Sequence, residues 1–183
     1  LRVIKFLDLA HQYKKIKPEI DSAIAEVIRK SGFIGGDFVN NFELQFADYV
    51  GAAHCIGAGN GTDALEIAIE ALEMPEDAEI IVPANSFIAS SEAVTRQGFK
   101  VVFADCDDKS YLISPADVLR KITSKTAAIV AVHLYGHPCD MGSLLHIAQE
   151  HKLKVIEDCA QAHGAKFKDC LLYTSPSPRD ATL

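Results

Sequence analysis

An apolar run, Leu153–Ile156, leads straight into Glu157-Asp158, with Gln161 and His163 just beyond. If that run is a buried strand, Asp158 stands at its carboxyl end, where open α/β sheets bind ligands. An ionised carboxylate is costly there without a partner. The residue types therefore predict a cationic partner for Asp158, supplied by the protein or by a ligand. A second candidate is Gly57-Ala58-Gly59-Asn60-Gly61-Thr62-Asp63, which opens the segment A-L-E-I-A-I. A glycine loop feeding a helix N-terminus offers backbone N–H groups and the positive end of a dipole, which suits a phosphate. A tight turn that needs glycine for steric reasons explains the same residues.

Two further loops carry candidate chemistry. In Pro83-Ala84-Asn85-Ser86-Phe87, the ring of Phe87 is placed either to lie on an aromatic ligand or to pack in the core. Asp105 reads as a turn or cap residue. In His133-Leu134-Tyr135-Gly136-His137-Pro138 the two histidines flank a Gly/Pro turn rather than sharing a helix face, so no metal site is predicted. Together, a phosphate cradle, a ring-stacking Phe and a carboxylate on one sheet edge describe a site for a phosphorylated cationic aromatic. Pyridoxal phosphate (PLP) has those parts, and a carboxylate that keeps its ring nitrogen protonated makes the ring an electron sink. Gln161 is then placed to hydrogen-bond the phenolic oxygen. A dinucleotide is the weaker alternative, because the spacing is G-x-G-x-G-T rather than G-x-G-x-x-G. The acidic residues about 20 positions on, Glu76, Asp77 and Glu79, fall in a loop.

These residues need a scaffold, and the hydropathy pattern supplies one. Short apolar runs recur near 54–57, 79–82, 100–103, 127–132 and 153–157, with helical segments near 61–73, 87–97, 115–122 and 141–151. That alternation predicts a largely parallel sheet covered on both faces. Ser114 and Asp140 are expected helix caps and Gly98 a helix stop. Upstream, a helix is expected over about 18–30, with Pro18 in its first turn and Gly32 at its end. A second helix is expected after Asp37, with Phe42, Phe46 and Tyr49 facing inward and Gly51 closing it.

The 183 residues suffice for one domain with a sizeable core, and the formal charge of -7, without a basic run, argues against nucleic-acid or polybasic membrane binding. No apolar stretch approaches the roughly 18 residues of a membrane helix, and no secretory leader is visible. The five cysteines are scattered, without a C-x-x-C pair, which suits a reducing cytoplasm. Most such cysteines are small buried hydrophobes.

Motifs across residues 4–169 resemble the DegT/DnrJ/StrS-type PLP-dependent sugar aminotransferases. They are F-L-D-L-x-x-Q-Y from Phe6, S-G-F-I-G-G from Ser31, F-E-L-Q-F-A-D-Y-V-G from Phe42, N-G-T-D-A-L from Asn60, H-L-Y-G-H-P-C-D-M from His133 and I-E-D-C-A-Q-A-H-G-A from Ile156. The resemblance implies an α/β chain, the truncated large domain of the PLP-dependent transferase (aspartate aminotransferase type I) fold. It implies that Thr62 and Asp63 donate N–H groups to the PLP phosphate, with Gly61 letting the backbone approach. Phe87 would stack on the ring, Asp158 would pair with the pyridinium nitrogen and Gln161 would contact the phenolic oxygen. His163 belongs to the motif without an assigned role.

The implied reaction moves an amino group, usually from glutamate, to a keto group of a nucleotide-linked sugar. The implied protein is a cytoplasmic homodimer. The family's Schiff-base lysine lies downstream of this sequence, so no catalytic residue is assigned, and the 183-residue chain alone is expected to be inactive. Lys166 and Lys168 read as solvated hairpin residues. Residues 1–169 are expected to be the N-terminal part of the PLP-binding large domain. The stretch C-L-L-Y-T-S-P-S-P-R-D, from Cys170, resembles a translated sequencing-library adapter, so 170–183 is expected to be a non-native tail. Two alternatives stay open: a sugar dehydratase of the same family, with histidine in place of the lysine, and a non-catalytic regulatory or nucleotide-sugar-binding relative.

Overall fold

A computed structural model describes residues 4–167 and the backbone of 170–171. The expected adapter-derived tail lies outside the described residues, apart from that backbone, and so does Lys168. The chain divides into two compact units, residues 1–45 and 46–183.

In the first unit, α1 spans Leu9–Arg29 and α2, Asp37–Val50, begins. Helix α1 starts nine residues before the expected position. Asp8 caps it, its carboxylate accepting the His11 N–H at 3.1 Å. Leu9, Tyr13, Ile16 and Ile20 carry the apolar spacing across Pro18, which therefore lies inside the helix rather than in its first turn. Pro18 leaves the Lys14 carbonyl without its usual helical donor. At the C-terminus Ser31, not Gly32, takes the left-handed conformation (φ 51°), and the Gly32 N–H returns to the Val27 carbonyl at 3.0 Å.

The second unit begins within α2. Its buried positions are Ala47 and Val50, whereas Phe42 and Tyr49, expected to face inward, are 56% and 57% exposed. The run at 54–57, expected as a strand, is not one of the described strands; a segment becomes a strand only when a neighbour completes its ladder. Helix α3, Gly61–Glu70, follows.

Four parallel strands come next: β1 Glu79–Pro83, β2 Lys100–Ala104, β3 Thr126–Val132 and β4 Lys154–Asp158. They alternate with α4 Ile88–Arg96, α5 Pro115–Lys121 and α6 Met141–His151. Gly98, at φ 83°, stops α4, while Ser114 and Asp140 cap α5 and α6. The sheet order is β2-β1-β3-β4. The path steps from β1 to β2 in one direction and from β2 to β3 to β4 in the other. Right-handed crossovers then place α4 on one face and α5 and α6 on the opposite face. Helix α3 packs against α4, so both faces of the sheet are covered.

The core is the sheet's own side chains, Ile80, Ile81, Val82, Ile129 and Val130, all fully buried. Every β1 residue is buried, as befits a central strand of a parallel sheet. A short hairpin, β5 Lys166–Phe167 with β6 Cys170–Leu171, ends the described chain, and Lys166 is exposed on it. Among the described residues no helix is long and apolar enough to cross a membrane.

Candidate active site at the carboxyl edge of the sheet

Parallel strands point all their carboxyl ends the same way, so the loops after β1, β3 and β4 gather on one edge. Helix α3 leads into the amino end of β1, so its own N-terminus lies on that edge too. The candidate residues Gly61, Thr62, Asp63, Phe87, Asp158 and Gln161 therefore come from separate loops to one rim.

Asp158 is the last residue of β4, paired in register with Val132 of β3. It is half-buried. Among the described residues its two carboxylate oxygens each accept one protein hydrogen bond: Oδ1 from the Ala160 N–H at 3.1 Å and Oδ2 from the Ser90 hydroxyl at 3.2 Å. A carboxylate offers about four acceptor positions, so lone pairs remain for a donor in the cleft. No cationic side chain pairs with Asp158 among the described residues.

Gln161 follows on an exposed turn. Its Oε1 accepts the Tyr135 N–H at 2.7 Å, which leaves the amide NH2 to act as donor. Tyr135 makes that bond from a left-handed backbone (φ 57°) in the tight turn Leu134–Gly136 after β3. Phe87 precedes α4 and its ring is 71% exposed, so it is not a core residue. Asp105 is a turn residue, its carboxylate accepting the Cys106 N–H at 2.8 Å.

The glycine loop discriminates between its two explanations. Gly57, Gly59 and Gly61 are not among the glycines with positive φ. A Cβ on Gly61 would meet no protein atom within 4 Å. Neither turn strain nor protein packing calls for glycine at 61, whereas close approach of a ligand would. Asn60 caps α3, with its Oδ1 accepting the Asp63 N–H at 3.0 Å and its amide donating to the Asp63 carboxylate at 2.8 Å. The Gly61 and Thr62 N–H groups, at the first helical positions, have no protein acceptor among the described residues. The Asp63 N–H, expected to serve a phosphate, is engaged by Asn60 instead.

Directly beside Asp158, Glu157 faces the other side of the sheet. Its Oε2 lies 3.0 Å from Nε2 of His133, which is fully buried, and His133 Nδ1 accepts the Cys139 N–H at 3.0 Å. His133, Glu157 and Cys159 bring potential ligand atoms within 4.8 Å of one another. Because Nδ1 is an acceptor, the proton of the neutral ring is on Nε2, which donates it to Glu157. In that tautomer Nε2 has no lone pair to offer a metal, and the His133–Glu157 pair acts as a hydrogen-bonded support. Burial, with Glu157 nearby, pushes the Cys139 thiol up to about 12, so it is not a nucleophile at neutral pH.

His163 finds a packing role, its ring edge-on to Phe46 at 5.9 Å between centroids. Gly164 beside it has φ 79°, and a Cβ there would run into the Tyr49 hydroxyl. These contacts anchor the loop after β4 to the end of α2. Sequence reasoning assigned Asp158 and Gln161 but missed Ser90, Tyr135 and the His133–Glu157 pair. For Glu157 a signal existed: strand alternation places adjacent carboxylates on opposite faces.

The model of the DegT/DnrJ/EryC1/StrS aminotransferase family matches residues 14–173. The chain is 46% identical over 165 residues to a dTDP-3-amino-3,6-dideoxy-alpha-D-galactopyranose transaminase of Aneurinibacillus thermoaerophilus, covering 90% of this chain and 46% of that protein. It is 46% identical over 164 residues to a pleiotropic regulatory protein of Geobacillus stearothermophilus, covering 90% and 44%. The crystal structure of NtdA from Bacillus subtilis, with the cofactor PMP bound, superimposes with a TM-score of 0.85 at 33% identity, covering 90% of this chain and 38% of that one. The chain thus spans less than half the length of these relatives.

Proposed function

The chain belongs to the DegT/DnrJ/EryC1/StrS aminotransferase family, and from that premise we propose that the full-length protein is a PLP-dependent aminotransferase acting on a nucleotide-linked keto sugar. The observation that carries the cofactor reading is Asp158. It is a half-buried carboxylate at a strand's carboxyl end, held by two neutral donors and by no cationic side chain among the described residues. A protonated pyridine nitrogen is the complement it lacks.

The residues fit the cofactor. Gly61 and Thr62 offer N–H groups and the positive end of α3 to the phosphate, and Gly61 leaves room for it to approach. Asp63 joins them only if Asn60 yields its N–H. Phe87 covers one face of the ring and excludes water from it. Asp158 keeps the ring nitrogen protonated, and the Gln161 NH2 donates to the phenolic oxygen. When bound, PLP supplies an electron-withdrawing ring that stabilises negative charge on the carbon bearing the transferred nitrogen.

Residues 1–169 contribute to the cofactor-binding large domain in this reading. The amino donor is glutamate, and the protein works as a cytoplasmic homodimer. Support for the sugar substrate comes from the transaminase at 46% identity.

To test it, the full-length protein is incubated with PLP and glutamate. Conversion of PLP to pyridoxamine phosphate is followed by absorbance, and nucleotide-linked keto sugars are then added with product mass read by mass spectrometry. Amino-sugar formation is expected. Cofactor binding without amino transfer to any such sugar overturns the enzymatic reading and favours a regulatory role like that in the name of the second relative.

A further inference from the structure

Helix α4 carries three hydroxyl side chains, and they do not behave alike. Ser91 returns its hydroxyl to the Ile88 carbonyl at 3.0 Å and Thr95 to the Glu92 carbonyl at 2.9 Å. Both satisfy themselves within the helix, the ordinary behaviour of Ser and Thr there. Ser90 does not. It is 2% exposed and donates to Asp158 Oδ2 at 3.2 Å, across 68 residues of sequence. Its small buried neighbours Ala89 and Ala93 leave the hydroxyl as the polar group on that face of the helix.

We propose that Ser90 is a positioning residue for Asp158: its hydroxyl and the Ala160 N–H hold the carboxylate plane so that the remaining lone pairs face the ring nitrogen of the cofactor. The inference rests on the cofactor reading above and deepens it. An ionised carboxylate is an acceptor only, so the single Ser90 proton points to it. One donor on each oxygen resists rotation about the carboxylate axis. A cationic N–H then meets an acceptor already oriented, with no reorganisation needed on binding. Removing the hydroxyl leaves one oxygen without its donor and lets the carboxylate turn.

The test compares two ligands on the full-length protein by fluorescence titration: pyridoxamine phosphate, and its carbocyclic 1-deaza analogue, in which the ring nitrogen is replaced by C–H. Ser90→Ala removes the hydroxyl. Ser90→Cys keeps the shape with a poor donor, so it also serves if the alanine variant unfolds. Wild type is expected to prefer pyridoxamine phosphate. Both variants are expected to lose about tenfold in affinity for pyridoxamine phosphate, the scale of a hydrogen bond to a charged group, with less than about a twofold change for the analogue. Unchanged binding of pyridoxamine phosphate, or an equal loss for both ligands, overturns the proposal. If wild type binds the two ligands equally or neither, the pairing of Asp158 with a ring nitrogen fails first and takes this inference with it.

Discussion

Glu157 and Asp158 are adjacent carboxylates at the end of one strand, and the two faces of the sheet treat them differently. On the α5/α6 face, Glu157 is bound to His133, whose other ring nitrogen is bound to the Cys139 backbone. That chain ties Glu157 to a fully buried imidazole and the imidazole to the backbone, so its bonds serve the fold. On the α4 face, Asp158 takes one neutral donor on each oxygen and keeps lone pairs toward the cleft. Phe87 stands exposed on the same rim. The Glu157 side is closed in that its partner is a buried side chain, and the Asp158 side is open in that its carboxylate stands at the rim beside an exposed ring. A closed network gives stability, and an open one gives binding.

Breaking the closed side should cost the most. His133→Ala would leave a cavity, an unpartnered Cys139 N–H and a Glu157 carboxylate without its donor. A loss of about 3 kcal/mol in urea-unfolding stability is expected. If stability holds while cofactor binding disappears, the division between the faces is wrong.

The open side should respond in the opposite manner. Asp158→Asn is expected to weaken pyridoxamine phosphate binding by roughly thirtyfold, about 2 kcal/mol, while unfolding stability moves by less than about 1 kcal/mol. Fluorescence titration and urea unfolding of the same variant give the two numbers. Phe87→Ala should cost less, about fivefold in the same titration, because only ring contact is lost and the side chain supports no core. A large drop in stability for this variant would mean that the ring is structural.

The smallest expected effect is a pH dependence on the closed face. Asp117, buried in α5, is held below the usual carboxylate range by the Asp105 N–H first and the Arg120 guanidinium second. A carboxylate lowered on folding contributes stability that is present above the unfolded value, near 3.9, and is lost as pH falls through the folded one. Thermal scans should therefore show wild type losing stability below about pH 4, and Asp117→Asn losing less over the same range. Equal slopes would mean that Asp117 takes no part in the acid response.

Much of this organisation was legible in the residues. The runs that became β1 to β4 and the caps Ser114 and Asp140 announced themselves through periodicity and short-range hydrogen bonding, both local properties. The segment at 54–57 read as a strand and was not one among the described elements, because a ladder depends on a neighbour that local pattern does not reveal. Pro18 misled for a related reason: the apolar spacing runs through it, and the helix continues upstream to the cap at Asp8.

The sequence by itself determined which residue types stand at which strand ends, since alternation and the parallel topology put Asp158, Gln161 and Phe87 on one edge. Only the tertiary structure decided what each of them has left to give. The Asn60 cap engages the Asp63 N–H, Tyr135 turns the Gln161 amide into a donor, and Ser90 reaches Asp158 from a helix far away in sequence. The physical reason is that a hydrogen bond consumes a specific lone pair or proton. Which one it consumes depends on positions in space that no local pattern encodes.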